Sequence, residues 1–372
     1  HNRSTSLISL TLTSRNAMPT HLRDKNPSRR SNGQMKRTTD AARRWSHNWQ
    51  SRWSHHPGKI RSNRSHAHGK RHKELVISDD ELIGLDEFAL LPENAAQVGV
   101  SGPLPTVERI ERGPISAVRW GDEPVRVVFL HGGGQNAHTW DTVILGLGRP
   151  ALAIDLPGHG RSAWREDGDY GPKLNAIAIE PVVRELAPDA DLVVGMSLGG
   201  LTTIALIGEA PELVRRGVIV DVTPSVSQRL EAMSTQQRGT TSLAAAENRR
   251  FADFDEMVDL IAAMSPQRSR ASVRRGVLAN SRPIDGAFEW RYDDLSGLSD
   301  FAPLWEQVDG ARVPLDLIRG SASSFVGDDD AVEFQTRAAD VRVHEVEGAG
   351  HSVQSDRPVE LAGILRGIID RT

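Results

Sequence analysis

The sequence predicts an α/β fold: a mostly parallel central sheet flanked by helices, with a helical cap inserted into it. Three observations predict this. Short apolar runs recur through residues 105–372, continuous rather than alternating, as expected of strands buried on both faces. Segments with helical periodicity lie between them. Between residues 222 and 313 the alternation stops, and helical patterns continue without an obvious buried strand. A structureless loop of that length, roughly 90 residues, is not expected inside a compact domain.

The elements follow in order. Residues 106–112 and 115–120, joined across Gly113-Pro114, read as an opening antiparallel hairpin. Strands are then expected at 125–130, 151–156, 191–194, 217–222, 314–318 and 341–346. Amphipathic helices are expected at 137–147, 174–186, 198–207 and 358–369, the last closing the domain. The cap, at about 223–312, contains expected helices at 254–264 and 269–278. It carries Met233, Met257, Met264, Phe288, Trp290 and Tyr292. These either line an apolar pocket or form the cap's own core, and for most of them the core is expected. Residues 74–104 form a linker or an N-terminal extension.

Charge divides the chain. Residues 1–73 hold 17 Lys and Arg against 2 Asp and Glu, whereas the whole chain holds 45 against 49, so the body is acidic. An acidic surface repels nucleic acid and anionic membranes, and neither is expected as a partner of the body. The basic segment is poor in aliphatic residues and is expected to be a disordered tail. It repeats Arg-Trp-Ser-His at 44–47 and 52–55, with Trp45, Trp49 and Trp53 at helical spacing. A nucleic-acid-binding arm and a metal-capturing cluster (His55, His56, His66, His68, His72) are its functional readings, and its composition favours neither over an unfolded extension. The chain has no cysteine, which excludes disulfides, thiolate metal sites and a cysteine nucleophile. No stretch has the apolar length of a membrane span. The apolar part of 6–13 is too short and interrupted for a signal peptide, and a cytoplasmic location is expected.

Chemistry concentrates at four places. Gly195-Met196-Ser197-Leu198-Gly199 runs from an apolar strand into a helix. That context turns G-x-S-x-G into a tight elbow that pushes the serine hydroxyl out at the carboxyl edge of the sheet. Phe129-Leu130-His131-Gly132-Gly133-Gly134 ends an earlier strand, and its glycines let backbone N–H groups approach a ligand. Acyl transfer requires donors aimed at the oxygen that becomes negative. The N–H groups of Leu198 and Gly133 are expected to supply them, with Gly134 as the neighbouring alternative. His131 is expected to brace the loop. Residues 155–162, Asp-Leu-Pro-Gly-His-Gly-Arg-Ser, form a sharp exit from the next strand, where His159 and Arg161 are expected to hold loops together. Finally, Glu347-Gly348-Ala349-Gly350-His351-Ser352 places His351 on a glycine loop before the last helix. A serine hydroxyl needs a base to become a nucleophile, and imidazole titrates near neutrality.

In their order and spacing, the HGGG loop, DLPGHGRS, GMSLGG and GAGHS resemble the α/β-hydrolase superfamily over roughly residues 105–372. The resemblance implies a serine-dependent member with a helical cap and no cofactor or metal, similar to esterase-like hydrolases. It also implies that the serine precedes an acid and the histidine follows. Here the pattern departs. The family's acid usually follows the seventh strand, but Ser323 and Ser324 stand there, just before Phe325-Val326. Two substitutes are expected: Asp221, at the end of the sixth strand, and Asp328, which also suits the N-terminus of a helix at 331–339. Asp221 is placed slightly ahead.

The leading expectation is a serine hydrolase of carboxylic esters with small or medium acyl groups, with Ser197, His351 and Asp221 (alternatively Asp328) as its triad. A carbon–carbon bond hydrolase or enol-lactonase is the alternative within the fold, although Met196 stands where carbon–carbon members usually carry Asn. A catalytically silent binding scaffold is the alternative of another class. The expected partner is a small-molecule ester; oligomeric state is not readable.

Overall fold

The computed structural model describes residues 85–240, 250–297 and 301–372. The basic segment 1–73, with its tryptophan repeat and histidines, lies outside the described residues, as does 74–84.

The first described helix is α1 (Leu91–Gln97). The hairpin β1 (Val107–Arg112) and β2 (Ile115–Trp120) follows, then β3 (Val127–Leu130), α2 (Asp141–Leu147), β4 (Ala151–Asp155), α3 (Pro172–Leu186), β5 (Leu192–Met196), α4 (Leu198–Glu209) and β6 (Gly217–Val220). The cap region contains α5 (Val226–Ala232), α6 (Thr235–Arg238), β7 (Arg250–Phe251), α7 (Phe254–Met264), α8 (Arg270–Asn280), β8 (Ser281–Ile284) and β9 (Ala287–Trp290). The chain then returns through α9 (Trp305–Gly310), β10 (Leu315–Gly320), α10 (Asp328–Arg337), β11 (Val341–Val346), α11 (Val353–Asp356) and α12 (Pro358–Ile369).

Eight of the described strands form one sheet in the order β1-β2-β4-β3-β5-β6-β10-β11. The β1–β2 and β2–β4 pairs are antiparallel, and every other pair is parallel. The inner strands β3, β4, β5 and β6 are buried at every position, because helices cover both faces. Along β3, Val127 and Phe129 pack into one core layer and Val128 and Leu130 into the other, the two-residue period of a strand. One layer is closed by α3 and α4, the other by α2 and α12. No described helix is long and apolar enough to cross a membrane.

Two segments differ from expectation. Residues 85–104 pack on the domain: Leu91 and Ala95 of α1 are buried in the layer that holds Trp120 and Phe129, with Phe88, Val98, Val100 and Leu104 against it. The cap is not purely helical, since β7, β9 and β8 form a small antiparallel sheet. Its hairpin turns at Asp285-Gly286, where both residues have positive φ (48° and 73°), as a two-residue type I′ turn demands. Met257, Trp290 and Tyr292 join Phe251, Phe254 and Val273 in the cap's own core, with Phe288 against it, and Met233 joins the main core. The helix expected at 331–339 starts earlier, at Asp328, so Asp328–Asp330 are its first turn.

Candidate active site

The strand-to-helix turn at Ser197 is as tight as its glycines require. Ser197 has φ 51° and ψ −118°, a conformation that a side chain rarely tolerates. A Cβ on Gly195 would lie 2.1 Å from the Gly199 carbonyl oxygen, and one on Gly199 would lie 2.2 Å from that of Leu130. The sheet and α4 therefore approach at distances that only glycine permits. Ser197 remains partly exposed while its neighbours Met196 and Leu198 are buried.

Three strand ends converge on this hydroxyl. Ser197 Oγ lies 3.1 Å from His351 Nε2, and His351 Nδ1 lies 2.8 Å from Asp221 Oδ2. The carboxylate can only accept, so Nδ1 carries the proton and Nε2 is left to accept from the serine. Asp221 is fully buried and has φ 55°, a second strained residue in the same constellation. Its Oδ1 accepts the Gly320 N–H at 2.9 Å, and its Oδ2 also accepts the Ser323 hydroxyl. The serine in the seventh-strand loop thus supports the carboxylate that stands on the neighbouring strand. Phe325 stacks on the imidazole, with ring centres 3.4 Å apart and 9° between planes. Asp328 is not part of this site: its side chain is 91% exposed and pairs with Arg319 at 2.6 Å.

The glycine loop is held from several sides. The Gly132 N–H donates to Gln135 Oε1 (3.2 Å), and the Gly134 N–H donates to His159 Nε2 (3.1 Å). Of the three glycine N–H groups, Gly133's alone has no partner among the described residues. The N–H of Leu198 is one of the first-turn donors that a helix leaves unpaired. Below the loop, Met196 fills the space a Cβ on Gly132 would need.

Both loop histidines are structural braces. The Leu156 N–H donates to His131 Nε2 (2.9 Å), so Nδ1 carries the proton and donates to the Gly132 carbonyl at 2.8 Å. Burial pushes the His131 pKa down, in keeping with a neutral ring. His159 repeats the arrangement, with Nδ1 on the Pro157 carbonyl at 2.9 Å. The cap is tied to the same loop. Asn280 Nδ2 donates to the Gly134 carbonyl at 2.6 Å, and Tyr292 forms a β-bridge with His159.

A buried ionic cluster lies behind the loop. Asp155, fully buried, pairs with Arg109 (2.7 Å) and accepts the N–H groups of Ala137 (2.7 Å) and Arg161 (2.9 Å). Burial alone would raise its pKa, but Arg109, aided by these contacts, holds it below the ordinary carboxylate value. Glu87, from the segment before α1, binds Arg109, Arg161 and His138. Burial opposes its charge, yet the bonds from His138 and Arg109 bring it down to about 2. His138 in turn is pushed up to about 9: burial lowers it, but Asp141 and Glu87 outweigh that. Among the described residues no group of three or more His, Asp or Glu is disposed to hold a metal ion.

The fold and this site define the class. Residues 127–364 match the family described as "Alpha/beta hydrolase family", and the chain belongs to it. Among its relatives is Esterase Rv0045c of Mycobacterium tuberculosis, 59% identical over 297 residues that cover 79% of this chain and 99% of that protein. A crystal structure of that esterase superposes with a TM-score of 0.71 and 57% identity, covering 77% of this chain and 99% of the other. A more distant relative, the sn-1-specific diacylglycerol lipase ABHD11 of Xenopus laevis, is 26% identical over 66% of this chain and 79% of its own length.

Proposed function

We propose that this protein hydrolyses carboxylic esters of small or medium acyl groups through an acyl-enzyme on Ser197. The observation that carries the reading is the unbroken relay from Asp221 through His351 to Ser197 Oγ. Its high identity to a named esterase supports the same reaction class.

The chemistry follows from the geometry. His351 Nε2 takes the hydroxyl proton as Ser197 Oγ attacks the ester carbonyl. The imidazolium is stabilised by Asp221, whose second oxygen is held by Gly320. The carbonyl oxygen becomes negative and is met by the N–H groups of Leu198 and Gly133; one such donor contributes about 10²–10³ in rate. Gly134 is the weaker candidate, because its N–H is already given to His159. The bond to the alcohol then breaks, and His351 passes its proton to the leaving oxygen. Water, deprotonated by His351, attacks the acyl carbon, and its proton returns through the imidazole to Ser197 as the acid leaves.

Ser197→Ala is expected to lower hydrolysis of a short p-nitrophenyl ester by at least about 10⁴-fold and to abolish labelling by a fluorophosphonate. A variant that still labels refutes the assignment of the nucleophile.

A further inference from the structure

Beside the glycine loop lies a cavity of about 280 Å³ between body and cap. Its wall includes Gly133 and Gly134 of the glycine loop and Ser352, the residue after His351, and extends to Arg268 and Arg291 of the cap. Most charges in this wall are matched. Glu87 and Asp155 hold Arg109 and Arg161, Asp141 holds His138, and Glu93 holds Arg275.

Arg268 and Arg291 are different: neither forms an ion pair among the described residues. Arg291 gives its Nε–H to the Ser281 carbonyl at 2.5 Å, which leaves the outer nitrogens of its guanidinium free of described partners. Burial, reinforced by the nearby guanidinium groups of Arg161 and Arg282, pushes Arg291 down to about 10. The Arg268 Nε is buried without a partner. Burial lowers Arg268 too, despite the attraction of Asp356, whose Oδ2 accepts from Gln267 and from the Gly350 N–H, each at 2.9 Å.

The two cations line the same cavity as Gly133 and Gly134 of the glycine loop. Arg268 follows Gln267, whose amide stands against Gly350, next to His351. Arg291 precedes Tyr292, which bridges to His159, the residue that holds Gly134. A half-buried cation without a close ion-pair partner is costly, and an incoming anion relieves that cost. The guanidinium fork matches the two oxygens of a carboxylate. The volume is close to the lower end for ligand sites, about 300 Å³, and suits a short chain.

We infer that the site takes esters bearing a second, anionic group, a carboxylate a few carbons from the scissile ester, held by Arg268 and Arg291. The inference rests on the ester-hydrolase reading and specifies its substrate class.

The test uses the full chain and compares kcat/KM for monomethyl glutarate and monomethyl adipate with their uncharged dimethyl esters. The half-esters are expected to be favoured about tenfold or more, the scale of one charge-assisted pair. Arg291→Gln and Arg268→Gln are each expected to shrink that preference about tenfold, through KM rather than kcat. Equal kcat/KM for half-ester and diester in the unaltered protein overturns the inference, as does a preference that neither substitution moves. The comparison in the unaltered protein stands even where a variant fails to fold. Hydrolysis of the diesters without preference defeats this inference alone. Failure on every ester, together with no fluorophosphonate labelling of Ser197, defeats the ester-hydrolase reading as well.

Discussion

Two carboxylates, Asp155 at the end of β4 and Asp221 just after β6, sit at the carboxyl edge of one sheet and are both fully buried. Their surroundings separate them. Asp155 faces a permanent cation, Arg109, and two backbone N–H groups, so its charge is fully matched and it binds the glycine-loop region to β1. Asp221 faces a hydroxyl, one backbone N–H and an imidazole. No ion pair with Lys or Arg is formed at Asp221 among the described residues; its ion-pair partner there is the His351 imidazole. On the proposed reading, the aspartate matched by a guanidinium is structural, and the one that meets an imidazole is catalytic.

The comparison is most sharply broken by exchanging charge for amide at each aspartate. Asp221→Asn is expected to lower kcat by about 10³–10⁴-fold, with a change in melting temperature small beside that of Asp155→Asn. Asp328→Asn, the control at the exposed seventh-strand position, is expected to stay within about twofold, the range of an exposed ion pair. A larger loss for Asp328→Asn would move the acid to that loop.

Asp155→Asn is expected to destabilise the fold by about 3 kcal/mol, because it leaves Arg109 buried without its partner. Urea or thermal unfolding measures this. The folded pKa of Asp155 lies below its unfolded value. Its contribution is therefore complete above the unfolded carboxylate range, near pH 4, and is lost as pH falls through the folded value. The variant should accordingly lose less stability on acidification than the parent. An equal acid-side loss contradicts the structural role.

Ser323→Ala sharpens the comparison with a smaller effect. It removes one hydrogen bond to a charged oxygen and is expected to lower kcat/KM about tenfold without unfolding the protein. An unchanged rate would make Ser323 a bystander.

Much of this was legible in the sequence because it is local. The strands at 115–120 and 341–346 and the helices at 254–264 and 358–369 are found where their patterns place them. The elbow, the glycine loop and the histidine loop also read directly, since each is a short motif beside an element end. The acid was ambiguous because its environment is assembled across about 100 residues of chain. Only the parallel pairing of Val220 with Ile318 brings Asp221 beside Gly320 and Ser323. Ser323, one of the two serines standing where the acid was expected, instead donates a hydrogen bond to a carboxylate one strand away. The cap strands were missed although Asp285-Gly286 is a strong two-residue hairpin signal, because the surrounding helical periodicity dominated the reading. Glu87 carried no signal at all: it lies in a segment without periodicity, and its partners come from three other parts of the chain.

Asn280 is the last residue of α8, yet its side chain holds the Gly134 carbonyl, and the adjoining hairpin leads to the bridge at His159. The glycine loop is therefore held from two sides, and one of them is the cap. Replacing the cap with another, as a route to new specificity, would strip the loop of that support unless the graft reproduced an amide at the same point. In this architecture the cap and the glycine loop are joined by these contacts and are not independent modules.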